Sequence, residues 1–596
     1  MTYVAPIKDM LFVLNELTDL QLINTLPGCE DATADTIESI LEENARFCSE
    51  VVAPLNWAGD QQPSYWHDGQ VTTTDGFKEA FKAFGAAGWQ GVQHPVEFGG
   101  QGLPKLVATP CIEMLNAANL AFALCPLLTD GAIEALMTAG SDALKHTYLT
   151  NLISGKWTGT MNLTEPQAGS DLSMVRTRAV PQADGSFKLF GTKIYITYGE
   201  HDMAENIVHM VLARVPGAPD GVKGISLFIV PKFLVNADGS LGARNDVHCV
   251  SIEHKLGIKA SPTAVLQYGD HGGAIGTLVG EENRGLEIMF IMMNAARFAV
   301  GMQGIGVADH ACQKAVAYAK DRVQSRDLTG STAPVAIIHQ PDVRRMLMSM
   351  RSQVEAARAL AYVTAAAHDV ALHHDDATVR KTSHAFYELM VPIVKGWSTE
   401  MAVNVTSTAL QVHGGMGFIE ETGVAQYYRD ARVLTIYEGT TAIQANDLVG
   451  RKTVRDGGAN VRAILASARA TAAELSASDA SDLVAIGERL ASAVDALDAV
   501  VTFIVAHIKS DIKQVFAGSV PYLNMAGIVF GGWQMARAAL IAEHKCTNGD
   551  GDAAFYRAKV VTARFFADHY LSQATAMQIA IVEGGDAVMA LTEQQF

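Results

Sequence analysis

Apolar positions in the first quarter of the chain recur at helical spacing. Across residues 36–52 they fall at Ile37, Ile40, Leu41, Phe47 and Val51, a stripe down one side of a helix that ends near Pro54. Residues 77–88 and 106–120 keep the same period, and the loop Gly99-Gly100-Gln101-Gly102-Leu103-Pro104 separates them. The texture changes near residue 158. Short runs at 157–164, 187–197, 207–213 and 224–230 are rich in Val, Ile, Thr and aromatics, which predicts strands, with Asp184-Gly185 as a hairpin turn between two of them. From Glu281 the pattern turns helical again. Ala-, Met- and Leu-rich runs at 286–320, 340–373 and 375–410 carry few internal Gly or Pro, which predicts a helix bundle. Residues 450–460 look like a linker. A further Ala-rich helical region runs from Val461 onward, punctuated at Gly518-Ser519-Val520-Pro521 and Asn548-Gly549-Asp550-Gly551-Asp552.

Composition narrows the classes. A chain of 596 residues with 49% hydrophobic and 18% charged residues has material for several cores and is not disordered. The net charge of −18, with no long basic run, argues against nucleic acid as a partner. The seven cysteines (Cys29, Cys48, Cys111, Cys125, Cys249, Cys312, Cys546) form no CxxC pair, which suits reduced thiols in a cytoplasmic protein. Met1-Thr2-Tyr3-Val4-Ala5-Pro6 has neither a basic nor a long apolar segment, so no secretory signal is expected. Asn294 and Arg297 interrupt the apolar run at 291–307, and Gln534 and Arg537 the run at 525–541. No membrane span is expected.

Four stretches stand out chemically. Leu434-Thr435-Ile436-Tyr437-Glu438-Gly439-Thr440-Thr441 sets a carboxylate among apolar residues, where its proton affinity rises toward that of a base useful near neutral pH. Residues 161–171, with Thr164, Pro166, Gly169 and Ser170, read either as an ordinary strand-to-loop turn or as backbone N–H groups and hydroxyls open to an acceptor-rich ligand. Strand alternation puts Tyr195 and Thr197 on one face, suited to a packed tyrosine or to covering a flat ring. Gln411-Val412-His413-Gly414-Gly415-Met416-Gly417-Phe418 closes a helix, either as a plain cap or as a close approach for another group. Arg297 sits in an apolar helix and needs an anionic partner, structural or ligand-borne. His94, His201, His254 and His413 show no metal-ligand spacing, so no metal is expected. No GxSxG elbow is present.

Taken in chain order the four stretches resemble the acyl-CoA dehydrogenase flavoproteins over about residues 35–450, and among them the long bacterial members with an N-terminal extension and an extra C-terminal helical domain. The resemblance implies an α+β multidomain fold. It has an N-terminal extension (1–35), an N-terminal helical domain (36–157), a middle β-barrel-like domain (158–280), a four-helix bundle (281–450) and an additional helical domain (461–596). It implies FAD as cofactor, with Met161, Leu163, Thr164, Gly169, Ser170, Tyr195, Thr197 and Thr440 near the flavin. Arg322, Gln340, Gln411 and Gly415 would hold the adenine-diphosphate half, some of them across a subunit boundary, in a homodimer or tetramer. Glu438 matches the catalytic base. Some relatives carry that base just before the residue matching Arg297, where this chain has Ala296. Ser170, Asn294, Arg297, Tyr437 and Gly439 would contact the acyl-CoA. Many relatives have Trp in place of Tyr195, and Gln in place of Ala442. The implied reaction is α,β-dehydrogenation of an acyl-CoA to a trans-2-enoyl-CoA, with electrons passing to an electron-transfer flavoprotein. The substrate would be 3-methylmercaptopropionyl-CoA, on the dimethylsulfoniopropionate demethylation route, or a short or medium straight-chain acyl-CoA. An acyl-CoA oxidase, a flavin-fold binding protein without catalysis and a flavin-independent thioester hydrolase or lyase are the rival readings.

Overall fold

The computed structural model describes residues 3–549 and 551–596. Met1, Thr2 and Asp550 fall outside it, and with them parts of the N-terminal and 548–552 expectations.

The first region is helical: α1 (Ile7–Leu17), α2 (Leu20–Thr25), α3 (Ala34–Phe47), α4 (Pro54–Gln61), the small ladder of β1 (Tyr65–His67) and β2 (Gln70–Thr72), then α5 (Phe77–Ala86), α6 (Lys105–Ala118), α7 (Leu120–Ala139) and α8 (Asp142–Ile153). Side-chain caps mark several starts: Thr33 accepts from Thr36 N, Asn119 from Phe122 N and Ser141 from Leu144 N. The helix beginning at Ala34 does not end at Pro54. It passes through the wider turn Cys48–Val52 and resumes as α4, with Pro54 in the first turn, where its missing N–H is not needed.

The middle region holds β3 (Trp157–Asn162), β4 (Arg178–Pro181), β5 (Phe187–Thr197), β6 (Asn206–Ala213), β7 (Ser226–Pro231), β8 (Phe233–Val235), β9 (Leu241–Arg244), β10 (Val247–Ile252), β11 (Thr263–Tyr268) and β12 (Ala274–Val279). Eight of them form one sheet in the order β10-β11-β5-β12-β7-β6-β3, with β4 also on β5. Among the described residues β3–β6 is the one parallel strand pair; β8 and β9 pair separately. The 182–186 turn joins β5 to β4, a strand with too few apolar positions to show an alternation, and not to β3.

The bundle contains α9 (Gly285–Asp321), α10 (Pro341–His373), α11 (Ala377–His413), α12 (Val424–Ala431) and α13 (Thr441–Asp447). Glycines let α9 approach closely: a Cβ on Gly304 would lie 2.6 Å from the Ser398 carbonyl oxygen, and one on Gly306 2.7 Å from that of Glu113. The expected linker is short. Leu448–Thr453 is a wide helical turn, and Gly457 and Gly458, at φ +66° and +82°, lead straight into the next helix.

The last region comprises α14 (Ala459–Ser476), α15 (Ser481–His507), α16 (Ile512–Ala517), α17 (Ser519–Asn548), α18 (Ala553–His569), α19 (Ala574–Glu583) and α20 (Gly585–Val588). Gly527 and Gly531 of α17 make a slot for the Trp397 ring of α11, where added Cβ atoms would fall 2.2 and 2.6 Å from ring carbons. A buried charge cluster ties five helices together. Arg358 of α10 donates to Glu113 of α6 (2.8 Å) and Asp9 of α1 (2.6 Å), and it lies 3.1 Å from Asp309 of α9. Lys559 of α18 pairs with Asp9 and, at 2.9 Å, with Glu355.

The expectation that no segment spans a membrane concerns long apolar helices. Among the described residues, four helices, α7, α9, α15 and α17, are long and apolar enough to cross a membrane by length and composition. Their most apolar windows are 83%, 67%, 50% and 83% buried within the protein. The interrupting residues are internally partnered: Arg297 faces Asp447, and Arg537 donates to Gln534 and to the Leu17 carbonyl.

Candidate functional site

Between α12 and α13 the chain makes a tight turn at Arg432–Thr435 and then a short loop. In that loop Glu438 adopts φ +52° and Gly439 φ +84°. A left-handed glutamate is strained and persists only where its surroundings enforce it. Here they do. The buried Lys395 ammonium of α11 donates to the carbonyls of Leu434 (2.8 Å) and Gly439 (2.7 Å), on either side of Glu438. Gln444 Nε2 of α13 donates to the Glu438 and Gly439 carbonyls, each at 3.2 Å. The Tyr437 hydroxyl donates to Gln303 of α9. Thr440 Oγ1 caps α13 by accepting from Ile443 N.

So clamped, Glu438 keeps its own groups free. Among the described residues, neither its carboxylate nor its backbone N–H has a hydrogen-bond or ion-pair partner. Burial raises its proton affinity, and Lys395 and Arg297 pull it back without cancelling the rise. Burial also pushes Lys395 down to about 8 against the attraction of Glu438. Arg297 lies 3.6 Å from Asp447 and 3.4 Å from the Asn294 amide oxygen, and its Nε is buried without a partner.

A second group gathers around β5. The buried Lys193 donates to the Leu163 carbonyl (3.0 Å) and to Glu165 (2.9 Å), and Ile194 N to the Thr164 carbonyl (3.0 Å). Glu165 also accepts from Arg176 N, Thr177 N and the Thr177 hydroxyl. Burial works against the charge of Glu165, yet Lys193 and these donors hold it down to about 2. The 163–171 loop is thereby pinned to the strand, with Met161 buried behind it and Gly169 and Ser170 exposed. At Ile194–Tyr195 a β-bulge breaks the plain alternation. Tyr195 stands at φ +60° with 62% of its surface exposed, and Thr197 is half-buried.

A third group lies at helix ends. Arg322 follows α9, Gln340 precedes α10 and donates to the Arg326 carbonyl, and Gln411 and Gly415 flank the end of α11. Among the described residues, no hydrogen bond or ion pair joins this group to Glu438. Sequence reasoning missed Lys395, Gln303 and Gln444. The signal for Lys395 was there: a lone lysine within Leu389–Met390–Val391–Pro392–Ile393–Val394 and Trp397.

These residues suit a large, flat, phosphate-bearing cofactor. Tyr195 offers an exposed aromatic face. Ser170 and Arg322 offer exposed polar groups, and Thr164, Thr197 and Thr440 are half-buried hydroxyls. A Cβ at Gly169, Gly414 or Gly415 would meet nothing within 4 Å, so their backbone is open to close approach.

Family models match in consecutive order. They are the acyl-CoA dehydrogenase N-terminal domain (34–156), middle domain (160–270) and C-terminal domain (283–452), and an acetyl-CoA dehydrogenase C-terminal-like domain (459–592). The chain is 50% identical to a 3-methylmercaptopropionyl-CoA dehydrogenase of Ruegeria pomeroyi, over 99% of both chains. It is 37% identical to a broad-specificity linear acyl-CoA dehydrogenase, FadE5, of Mycobacterium tuberculosis, over 100% of both. A Bacillus anthracis acyl-CoA dehydrogenase structure complexed with FAD shares the fold, with TM-score 0.75 and 23% identity over 97% of this chain and 93% of that one.

Proposed function

Starting from the chain's membership of the acyl-CoA dehydrogenase family, as an FAD-dependent enzyme, we propose that its substrate is 3-methylmercaptopropionyl-CoA and its base Glu438. The unpartnered Glu438 carboxylate beside its own unpartnered N–H carries this reading of the site. The likeness to the Ruegeria enzyme supports the substrate.

Glu438 removes the α-proton of the thioester. Its raised proton affinity narrows the gap to a weak carbon acid. Its N–H donates to the thioester oxygen as negative charge builds there, a contribution of about 3 kcal/mol for one such donor. Bound FAD supplies the acceptor for the β-hydride, so that the pair left by the α C–H bond becomes the new C=C bond and a methylthioacryloyl-CoA results. Asn294, Arg297, Tyr437, Gly439 and Ser170 line the acyl-CoA path. Met161, Leu163, Thr164, Gly169, Ser170, Tyr195, Thr197 and Thr440 hold the flavin end.

The cofactor's diphosphate end lies with Arg322, Gln340, Gln411 and Gly415, completed by a second copy in a homodimer or larger assembly. Phe418, 92% exposed beside exposed Met416 and Ile419, supports a subunit boundary there. Electrons leave to an electron-transfer flavoprotein, and the enzyme works in the cytoplasm. The test is anaerobic flavin bleaching with a panel of acyl-CoAs. Fastest bleaching is expected with the thioether substrate. Equal or faster bleaching by butyryl-CoA would overturn the substrate while leaving the reaction class intact.

A further inference from the structure

At the far end of the β domain, three side chains from separate stretches meet. Asp246 sits just before β10, His248 is the second residue of β10, and His271 lies in the β11–β12 turn. Their ligand atoms all fall within 4.8 Å of one another. His271 Nδ1 is 3.2 Å and His248 Nε2 3.3 Å from the same oxygen, Asp246 Oδ1. Ligands at about 2.0–2.1 Å around a tetrahedral ion stand about 3.3 Å apart, so both separations match an edge of such a shell.

Two further details favour a shared ion over simple pairing. The His248 ring approaches Asp246 without hydrogen-bond alignment, unlike that of His271. The other carboxylate oxygen, Oδ2, accepts from His271 N (2.8 Å) and Gly273 N (3.0 Å), which orients Asp246 and leaves Oδ1 turned to the two rings. His271 is exposed, giving an entry path.

We propose that Asp246, His248 and His271 bind one divalent transition-metal ion, with Zn²⁺ the best match to two imidazoles and a carboxylate. The ion clips the edge strand β10 to the β11–β12 turn. It stands apart from the flavin chemistry: Thr197 pairs with Thr263 at one end of β11, and His248 pairs with Gln267 near the other. At about 3.3 Å per residue that is ~13 Å away.

The test is titration of tag-free, chelator-treated holoenzyme with Co²⁺, followed by its visible d–d bands, and then displacement by Zn²⁺. One equivalent is expected to bind. His248→Ala and His271→Ala are each expected to weaken Co²⁺ binding more than about tenfold, with the flavin spectrum and turnover unchanged. Zn²⁺ is expected to raise Tm in the parent and not in the variants. Absence of a one-equivalent Co²⁺ complex, or a complex equally tight in both histidine variants, would overturn the proposal.

Discussion

The proposed base of this chain is a single left-handed glutamate, Glu438. Glu438→Gln keeps the loop hydrogen bonds, which use its backbone and not its carboxylate. Bound FAD and Tm should therefore persist while kcat falls by about 10²–10⁴-fold, the usual share of a general base. Full turnover in that variant would place the base elsewhere. As the proposed base, Glu438 would work deprotonated, and burial raises its pKa. The acidic limb of kcat/KM should therefore lie above that of a free carboxylate, with activity lost as pH falls through it. Lys395 opposes that rise, so Lys395→Met should shift the acidic limb to higher pH. A shift the other way would contradict the electrostatic role given to the lysine. Removing the ammonium also frees the Leu434 and Gly439 carbonyls, so kcat should drop alongside the shift.

Helices and strands were unequally legible. The long bundle helices could be bounded to within a few residues because their Ala/Met/Leu runs carry few internal Gly or Pro. The β domain was half visible. Strands with continuous apolar runs, such as β6 and β7, announced themselves; β4 and β8–β12 did not, being short, partly exposed or rich in polar residues. Pro54 misled because proline breaks a helix interior yet suits a first turn. At the site, Glu438 and Tyr195 were legible as residues, whereas the clamp was not. Lys395, Gln303 and Gln444 meet the loop from three different helices, and no local spacing reports a contact made by folding. Helix packing also yields a test. Gly304→Ala puts a methyl 2.6 Å from a backbone oxygen of α11. Such overpacking should cost about 1–3 kcal/mol in denaturant unfolding, and an unchanged midpoint would show that α9 and α11 can separate freely.

Across the whole molecule, Arg358 joins regions that the sequence presents as separate. It is 2% exposed and serves Asp9, Glu113 and Asp309 at once. Arg358→Met should destabilise the protein by about 3–5 kcal/mol, because it leaves Glu113 buried without its counter-charge, and denaturant unfolding followed by tryptophan fluorescence would measure it. The Asp9–Lys559 pair has a temporal corollary. The two residues are 550 positions apart, so α1 leaves the ribosome long before α18 has been translated. Until then Asp9 has Arg358 but not its lysine. Nascent chains halted before Ala553 should therefore expose their first helix to protease, and the completed polypeptide should protect it.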